Sequence, residues 1–201
     1  MSKDYPVPAG YLERETEVKK SRFIARIVPV SSREEVKSWL ESAHKDHPDA
    51  RHICWAYQLG RPGSAAEAAM SDDGEPSGTA GKPILNVIQH KDMGDVLVMV
   101  IRYFGGVKLG AGGLVRAYAG AAESVLSAVD RVVQQPMAAV TVTMQFADEQ
   151  PIRHWCEVNG AEVESVDYGN RVTARLQVPE ELSEALIAFC DAQRLDYHFD
   201  N

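Results

Sequence analysis

Val96-Leu97-Val98-Met99-Val100-Ile101-Arg102-Tyr103-Phe104-Gly105-Gly106-Val107-Lys108-Leu109-Gly110-Ala111-Gly112-Gly113-Leu114 is the stretch on which the fold turns. Its first six residues are apolar without a break, which suits a central strand covered on both faces. A glycine-rich turn follows, then a helix expected from about Leu114 to Arg131. Along that helix Leu114, Tyr118, Ala121, Val125 and Ala128 step by four and three, the period of one buried helical face. A doubly covered strand feeding an amphipathic helix makes the N-terminal part a mixed α/β structure.

Further strands are expected at Phe23 to Val30 and His52 to Leu59. Between them Ser32-Arg33-Glu34-Glu35 has the form of a capping box, opening a helix that buries Val36, Leu40 and Ala43. The C-terminal third has its own order. Ala139 to Phe146 alternates as a strand with Val140, Val142, Met144 and Phe146 on one face. Pro151 opens a helix that Asn159-Gly160 closes, and Ala161–Val166 and Arg171–Val178 flank a turn at Tyr168-Gly169-Asn170. Pro179-Glu180-Glu181 starts a second helix, and Leu195, Tyr197 and Phe199 make a last strand. That succession is β-α-β-β-α-β, the ferredoxin-like order. The fold class is therefore α+β in two domains.

Charge marks the boundary. The 201 residues carry a net charge of −8, and Val132 to Asn201, with 4 basic and 12 acidic residues, accounts for all of it. Lys82 to Arg131 holds 6 basic and 4 acidic residues. The change, together with Gln134-Gln135-Pro136 read as a linker, divides the chain into domains 1–135 and 136–201. An acidic total excludes polyanion binding by bulk charge, though not by a local cationic face. No apolar run reaches the roughly 18 residues of a membrane span. Met1 to Gly10, with Asp4, Pro6 and Pro8, does not have the pattern of a secretion signal. Cys54, Cys156 and Cys190 form neither a disulfide framework nor a zinc ribbon, and are expected to be buried thiols in a reducing cytoplasm.

Two stretches exceed what plain structure needs. Ser71-Asp72-Asp73-Gly74-Glu75-Pro76-Ser77-Gly78-Thr79-Ala80-Gly81-Lys82-Pro83 feeds a short helix through Ile84, Leu85 and Ile88, whose free N–H groups can hold an anion. Pro76 and Pro83 stand where a Walker loop needs Gly and Ser or Thr, and the acids are not spaced for an EF-hand. The reading open beside anion binding is a tightly hydrogen-bonded turn. Arg102 to Tyr118 has five glycines in nine residues, runs into a helix start, and has no acid between Val96 and Glu123. Arg102, Lys108 and Arg116 supply cations there, with Arg116 about 200° round the helix from Leu114 and so facing solvent. Gly105, Gly106, Gly112 and Gly113 permit close backbone approach and φ > 0. A glycine-packed crossover is the structural alternative to a phosphate contact. Lys19-Lys20-Ser21-Arg22 is a short basic run at a strand start that can reach phosphates. His44, His47, His52 and Cys54 match no standard zinc spacing, so no metal and no cofactor is expected.

Lys19-Lys20-Ser21-Arg22-Phe23-Ile24, His47-Pro48-Asp49-Ala50-Arg51-His52, Asp72 to Gly81, and Arg102-Tyr103-Phe104-Gly105-Gly106 together resemble the IMPACT family, in its bacterial YigZ-type branch. The resemblance implies an N-terminal domain similar to the second domain of ribosomal protein S5 and to domain IV of elongation factor G. It implies a C-terminal ferredoxin-like domain similar to domain V of that factor. Family members are linked to control of translation. The eukaryotic members' separate interaction domain falls outside the resemblance, so their protein partner is not carried over. The expectation is a non-enzymatic cytoplasmic binder of RNA, the ribosome or translation factors. Its anion contacts would be Arg102, Lys108 and Arg116, with Lys19, Lys20 and Arg22 beside Gly105, Gly106, Gly112 and Gly113. Alternatives are a small hydrolase or phosphate-ester enzyme with a pocket of Asp72, Asp73, Glu75, Thr79 and His52, or a protein-interaction module using the acidic C-terminal domain.

Overall fold

Strand alternation decides where the N-terminal side chains go. In chain order the elements are β1 (Tyr5–Pro8), β2 (Leu12–Val18), β3 (Ser21–Pro29), α1 (Arg33–Asp46), β4 (His52–Leu59), β5 (Glu67–Ser71), α2 (Gly81–His90), β6 (Val96–Tyr103), α3 (Ala111–Leu126) and β7 (Arg131–Gln134). This computed structural model describes residues 4–200. An antiparallel sheet has the order β2-β3-β6-β4-β5, with β6 in the middle. Val96, Val98 and Val100 of β6 pack with Phe23, Ala25 and Ile27 against α2 and α3. Leu97, Met99 and Ile101 pack with Ile24, Val28 and Ile53 against Val36 and Ala43 of α1. Both faces of β6 are dry, and that is why its sequence shows no alternation.

Local capping accounts for α1. Ser32 Oγ accepts the Glu35 N–H at 3.2 Å, while the Glu35 carboxylate reaches back to the N–H and hydroxyl of Ser31 instead of Ser32. At the other end of the unit, α3 stops at Leu126, short of the expected Arg131. The Val129 N–H closes the final turn on Val125, Ala9 bonds the Asp130 carbonyl, and Arg131–Gln134 becomes β7, antiparallel to β1. A pairing partner at the far end of the unit overrides the helical period. Gln134 thus belongs to a strand rather than to a linker.

The chain separates into two compact units, Tyr5–Gln134 and a second that runs from Gln135. The second contains β8 (Met137–Met144), α4 (Glu149–Asn159), β9 (Glu162–Tyr168), β10 (Val172–Pro179), α5 (Ser183–Gln193) and β11 (Asp196–Phe199). Its strands form an antiparallel sheet ordered β11-β8-β10-β9. Val140, Val142 and Met144 join Val172, Leu176, Val178, Ile152 and Leu186 in its core. Phe146 departs from the expected face. It lies in a 3₁₀ turn, exposed, with its ring stacked on that of Tyr168. The first helix begins at Glu149, leaving Pro151 in its first turn, where a missing N–H costs no helical bond. Gly160, at φ 66°, ends it.

Candidate functional site

The loop from Asp72 to Ala80 is held by its own acids. The Asp72 carboxylate accepts the backbone N–H groups of Gly78 at 2.8 Å, Ala80 at 3.1 Å and Gly81 at 2.8 Å. The N-terminus of α2 therefore already has its anion, and it is part of the chain. Partial burial works against that charge, but the three N–H donors outweigh it and hold the carboxyl below its ordinary 3.8. The Asp73 carboxylate accepts the Ile53 N–H at 2.6 Å, and the Asp73 carbonyl accepts from His52 Nδ1 at 2.7 Å, so that nitrogen carries the proton. Cys54 Sγ donates to the Asp72 carbonyl, and burial pushes its thiol up to about 12. Thr79 is buried with its hydroxyl on the Pro76 carbonyl at 2.6 Å. Asp72, Asp73 and Thr79 tie the loop together and to β4.

The glycine loop meets the β2–β3 hairpin. Val18 pairs with Ser21, so Lys19 and Lys20 are the two turn residues, with φ of 47° and 65°. That is the left-handed geometry of a type I′ turn, which favours Asn-Gly; lysines there cost about 1–2 kcal/mol each. A Cβ on Gly105 would lie 2.0 Å from the Lys20 backbone, so only glycine lets the loop rest on the hairpin tip. The loop's left-handed residues are Gly106 at 85° and Gly110 at 72°. Gly112 and Gly113 fall in the first turn of α3 instead. This turn carries no side-chain cap and no acid. The Arg116 guanidinium lies back over it, 3.6 Å from the Cβ position of Gly112, and Arg116 is exposed.

Where these segments converge there is a cavity of about 380 Å³. Arg51 just before β4, His52 at its start, Arg102 from the end of β6, and Lys108 from the glycine loop bring its cations and imidazole. Phe104, Leu109 and Leu114 supply apolar wall, and Gly110 and Ala111 present the start of α3. Among the described residues Glu75 is the one carboxylate lining it, and it is already engaged. A single Glu75 oxygen accepts from Arg102 Nη1 at 2.6 Å and from the Tyr118 hydroxyl at 2.8 Å. Desolvation, reinforced by Cys54 and the Glu75 charge, raises the Tyr118 phenol far above its usual range and keeps it a donor. Arg102 keeps only 8% side-chain exposure, its guanidinium carbon lies 5.7 Å from the centres of both Phe23 and Phe104, and its Nε has no hydrogen-bond partner. The position continues the Val98, Val100 side of β6, so a buried charge stands where the strand pattern asks for an apolar residue.

The cavity thus combines members of two expected groups, Arg102 and Lys108 from the cationic one and Glu75 and His52 from the acidic loop. Lys19 and Lys20 do not line it; they form the hairpin tip, whose Lys20 backbone lies against Gly105. Arg22 is not brought there. It forks onto Glu15 at 2.8 Å through Nε and Nη2, over the Tyr103 ring, on the α1 face. On that same face His47 joins Tyr103 at 2.8 Å and Arg26 at 3.1 Å, so it is far from sharing a ligand set with His52 and Cys54. Among the described residues no group of three metal-ligating side chains forms, and no helix is long and apolar enough to cross a membrane. Arg51 joins the lining although the sequence pattern does not single it out. Its signal was its position at the end of the His47–His52 motif, directly before β4.

The chain belongs to the IMPACT family, as the match of its N-terminal unit to the family's domain and relatives at about a third identity over most of its length show. Residues 19–126 match the Impact N-terminal domain, and residues 142–189 match a domain of unknown function, DUF1949. An IMPACT family member of Haemophilus influenzae is 33% identical over 182 residues, 90% of this chain and 88% of its own. The Escherichia coli IMPACT family member YigZ is 35% identical over 173 residues, 86% of this chain and 85% of its own. A crystal structure described as that of a hypothetical protein superposes with a TM-score of 0.79 at 32% identity, covering 98% of this chain and 97% of that one.

Two stability predictions follow from the bonding. Glu75→Gln leaves the buried Arg102 charge unpaired and should cost about 3–5 kcal/mol in urea unfolding, with Glu75→Gln/Arg102→Met recovering part of the loss. An additive double variant would show that the pair is not coupled. Asp72→Ala should cost about 1–2 kcal/mol at pH 7, a capping magnitude kept modest because the carboxylate is partly solvated. Because its folded pKa is depressed, Asp72's contribution is complete above the ordinary 3.8 and is lost as pH falls through the lower folded value. The gap between wild type and Asp72→Ala, measured by urea unfolding at pH 7 and pH 3, should therefore narrow in acid.

Proposed function

We propose that this chain is a non-catalytic regulator of translation that binds RNA through the cationic end of its N-terminal unit. The observation that carries the reading is the convergence of Arg51, Arg102 and Lys108 on the uncapped start of α3, with Glu75 the lone carboxylate and already neutralised. Phosphate contacts use this chemistry: guanidinium and ammonium donors, and free N–H groups at a helix N-terminus. Lys19 and Lys20 extend the cationic surface at the hairpin tip, in a turn that costs stability. Translation as the setting comes from the family, whose members are linked to its control.

The finer folds belong to the same reading. We assign the N-terminal unit to the ribosomal protein S5 domain 2-like fold. The C-terminal unit is assigned to the ferredoxin-like fold, supported by its order β8-α4-β9-β10-α5-β11 and its antiparallel sheet β11-β8-β10-β9. The C-terminal unit holds the acidic excess of the sequence, which suits a protein partner within the translation machinery better than RNA. A hydrolase is less well supported, because Asp72 and Asp73 spend their carboxylates on backbone N–H groups.

Fluorescence anisotropy of a labelled single-stranded RNA, titrated at several salt concentrations, tests the reading. Lys108→Ala should weaken binding alike across RNA sequences and lower the log–log salt slope by about 0.7–0.9, one phosphate contact. Lys19→Asn/Lys20→Gly should raise the melting temperature while weakening RNA binding. RNA binding indifferent to all of these substitutions would place the interface elsewhere.

A further inference from the structure

The site is a pocket, and an internal phosphodiester backbone does not need one. Its volume of about 380 Å³ is in the range of small-molecule sites, large enough to take a phosphate together with a ring. Its charges also count in an informative way. Arg51, Arg102 and Lys108 bring three positive charges and Glu75 removes one, leaving two before any contribution from the α3 dipole. A phosphodiester carries one negative charge, whereas a phosphomonoester carries close to two at neutral pH. Arg102 lines the pocket, more than nine-tenths buried, with Nη1 held by Glu75 at 2.6 Å, so its guanidinium is fixed in place before any ligand arrives. At the wall, Phe104 is 55% exposed although it is a large apolar ring, and a guanidinium already sits 5.7 Å from its centre. An exposed ring beside a phosphate-sized cationic cleft is the arrangement on which a base stacks.

We infer that the pocket is selective for a nucleotide bearing a terminal phosphomonoester, with the phosphate between Arg102, Lys108 and the start of α3 and the base against Phe104. The inference rests on the RNA-binding reading above and deepens it: the pocket recognises an end of the strand, while Lys19 and Lys20 serve its continuation. The same chemistry would admit a free nucleoside monophosphate, and the two sources are separable by experiment.

The test uses the full chain and three internally labelled RNAs of one sequence, about a dozen nucleotides long, bearing hydroxyls at both ends, a 5′-phosphate or a 3′-phosphate. One phosphorylated RNA should bind at least tenfold more tightly than the hydroxyl form at pH 7.5. Lys108→Ala and Phe104→Ala, both at exposed positions and so expected to keep the wild-type melting temperature, should each abolish most of the preference. Displacement of the phosphorylated RNA by adenosine 5′-monophosphate but not by adenosine would extend the site to free nucleotides. Failure of the monophosphate to displace it, with the preference intact, would restrict the site to strand ends. Equal affinity for the three RNAs, or a preference untouched by both variants, overturns the inference while leaving general RNA binding standing. Binding of the monophosphate without any binding of RNA would instead overturn the broader reading and keep the pocket.

Discussion

The N-terminal unit depends on one buried charge. Arg102 lies at the end of the central strand on the face that packs against two helices, where desolvating a guanidinium is costly. Glu75 and Tyr118 make the position tenable. Through one carboxylate oxygen they connect β6, the Asp72–Ala80 loop and α3. Three segments distant in sequence are thereby set at one sheet end, and the cavity is the space between them. An apolar residue at Arg102 would fill the same position, but neither the loop nor α3 would then be registered to the strand by a directional bond.

Around that bond the chain spends stability on geometry. Two lysines occupy left-handed turn positions, and Gly105 gives up its side chain so that the loop can lie on the backbone of Lys20 and Ser21. Asp72 performs the opposite service. By filling the N-terminus of α2 with an internal carboxylate it leaves α3 as the helix whose first turn lacks a side-chain cap beside the cavity. The two helix starts of one layer, alike in sequence as glycine-bearing turns, are given different electrostatic roles.

Charge is divided between the units in the same spirit. The N-terminal unit balances its acids and bases overall, and a local cationic face emerges because its carboxylates are bonded elsewhere: Glu13 and Asp46 to Arg26, Glu15 to Arg22, Asp72 and Asp73 to backbone. The acidic C-terminal unit keeps several of its carboxylates in exposed strand-edge pairs such as Arg171–Asp196 and Arg175–Glu164, which contribute little to stability and leave its field negative. Solvated acids of that kind act over a Debye length, not by contact.

Sequence alone determined the elements whose cause is local. The unbroken apolar run of β6, the Ser32 cap, the 3.6-residue stripe of α3 and the β-α-β-β-α-β order of the last third all follow from neighbours a few residues apart. The ordered motifs were enough to identify the family. Tertiary structure decided which charge meets which. Nothing in Asp72-Asp73-Gly74-Glu75 distinguishes the acid that caps a helix from the acid that neutralises Arg102; only the path of the loop does. Arg22 and Arg51 are both motif arginines, yet strand parity sends the first to the α1 face while the second borders the cavity. The β1–β7 pairing, which ends α3 early, joins residues from opposite ends of the unit. Periodicity and capping are short-range, whereas hydrogen-bond partners and the sharing of a pocket are set by where the backbone returns, and no window of sequence contains that distance.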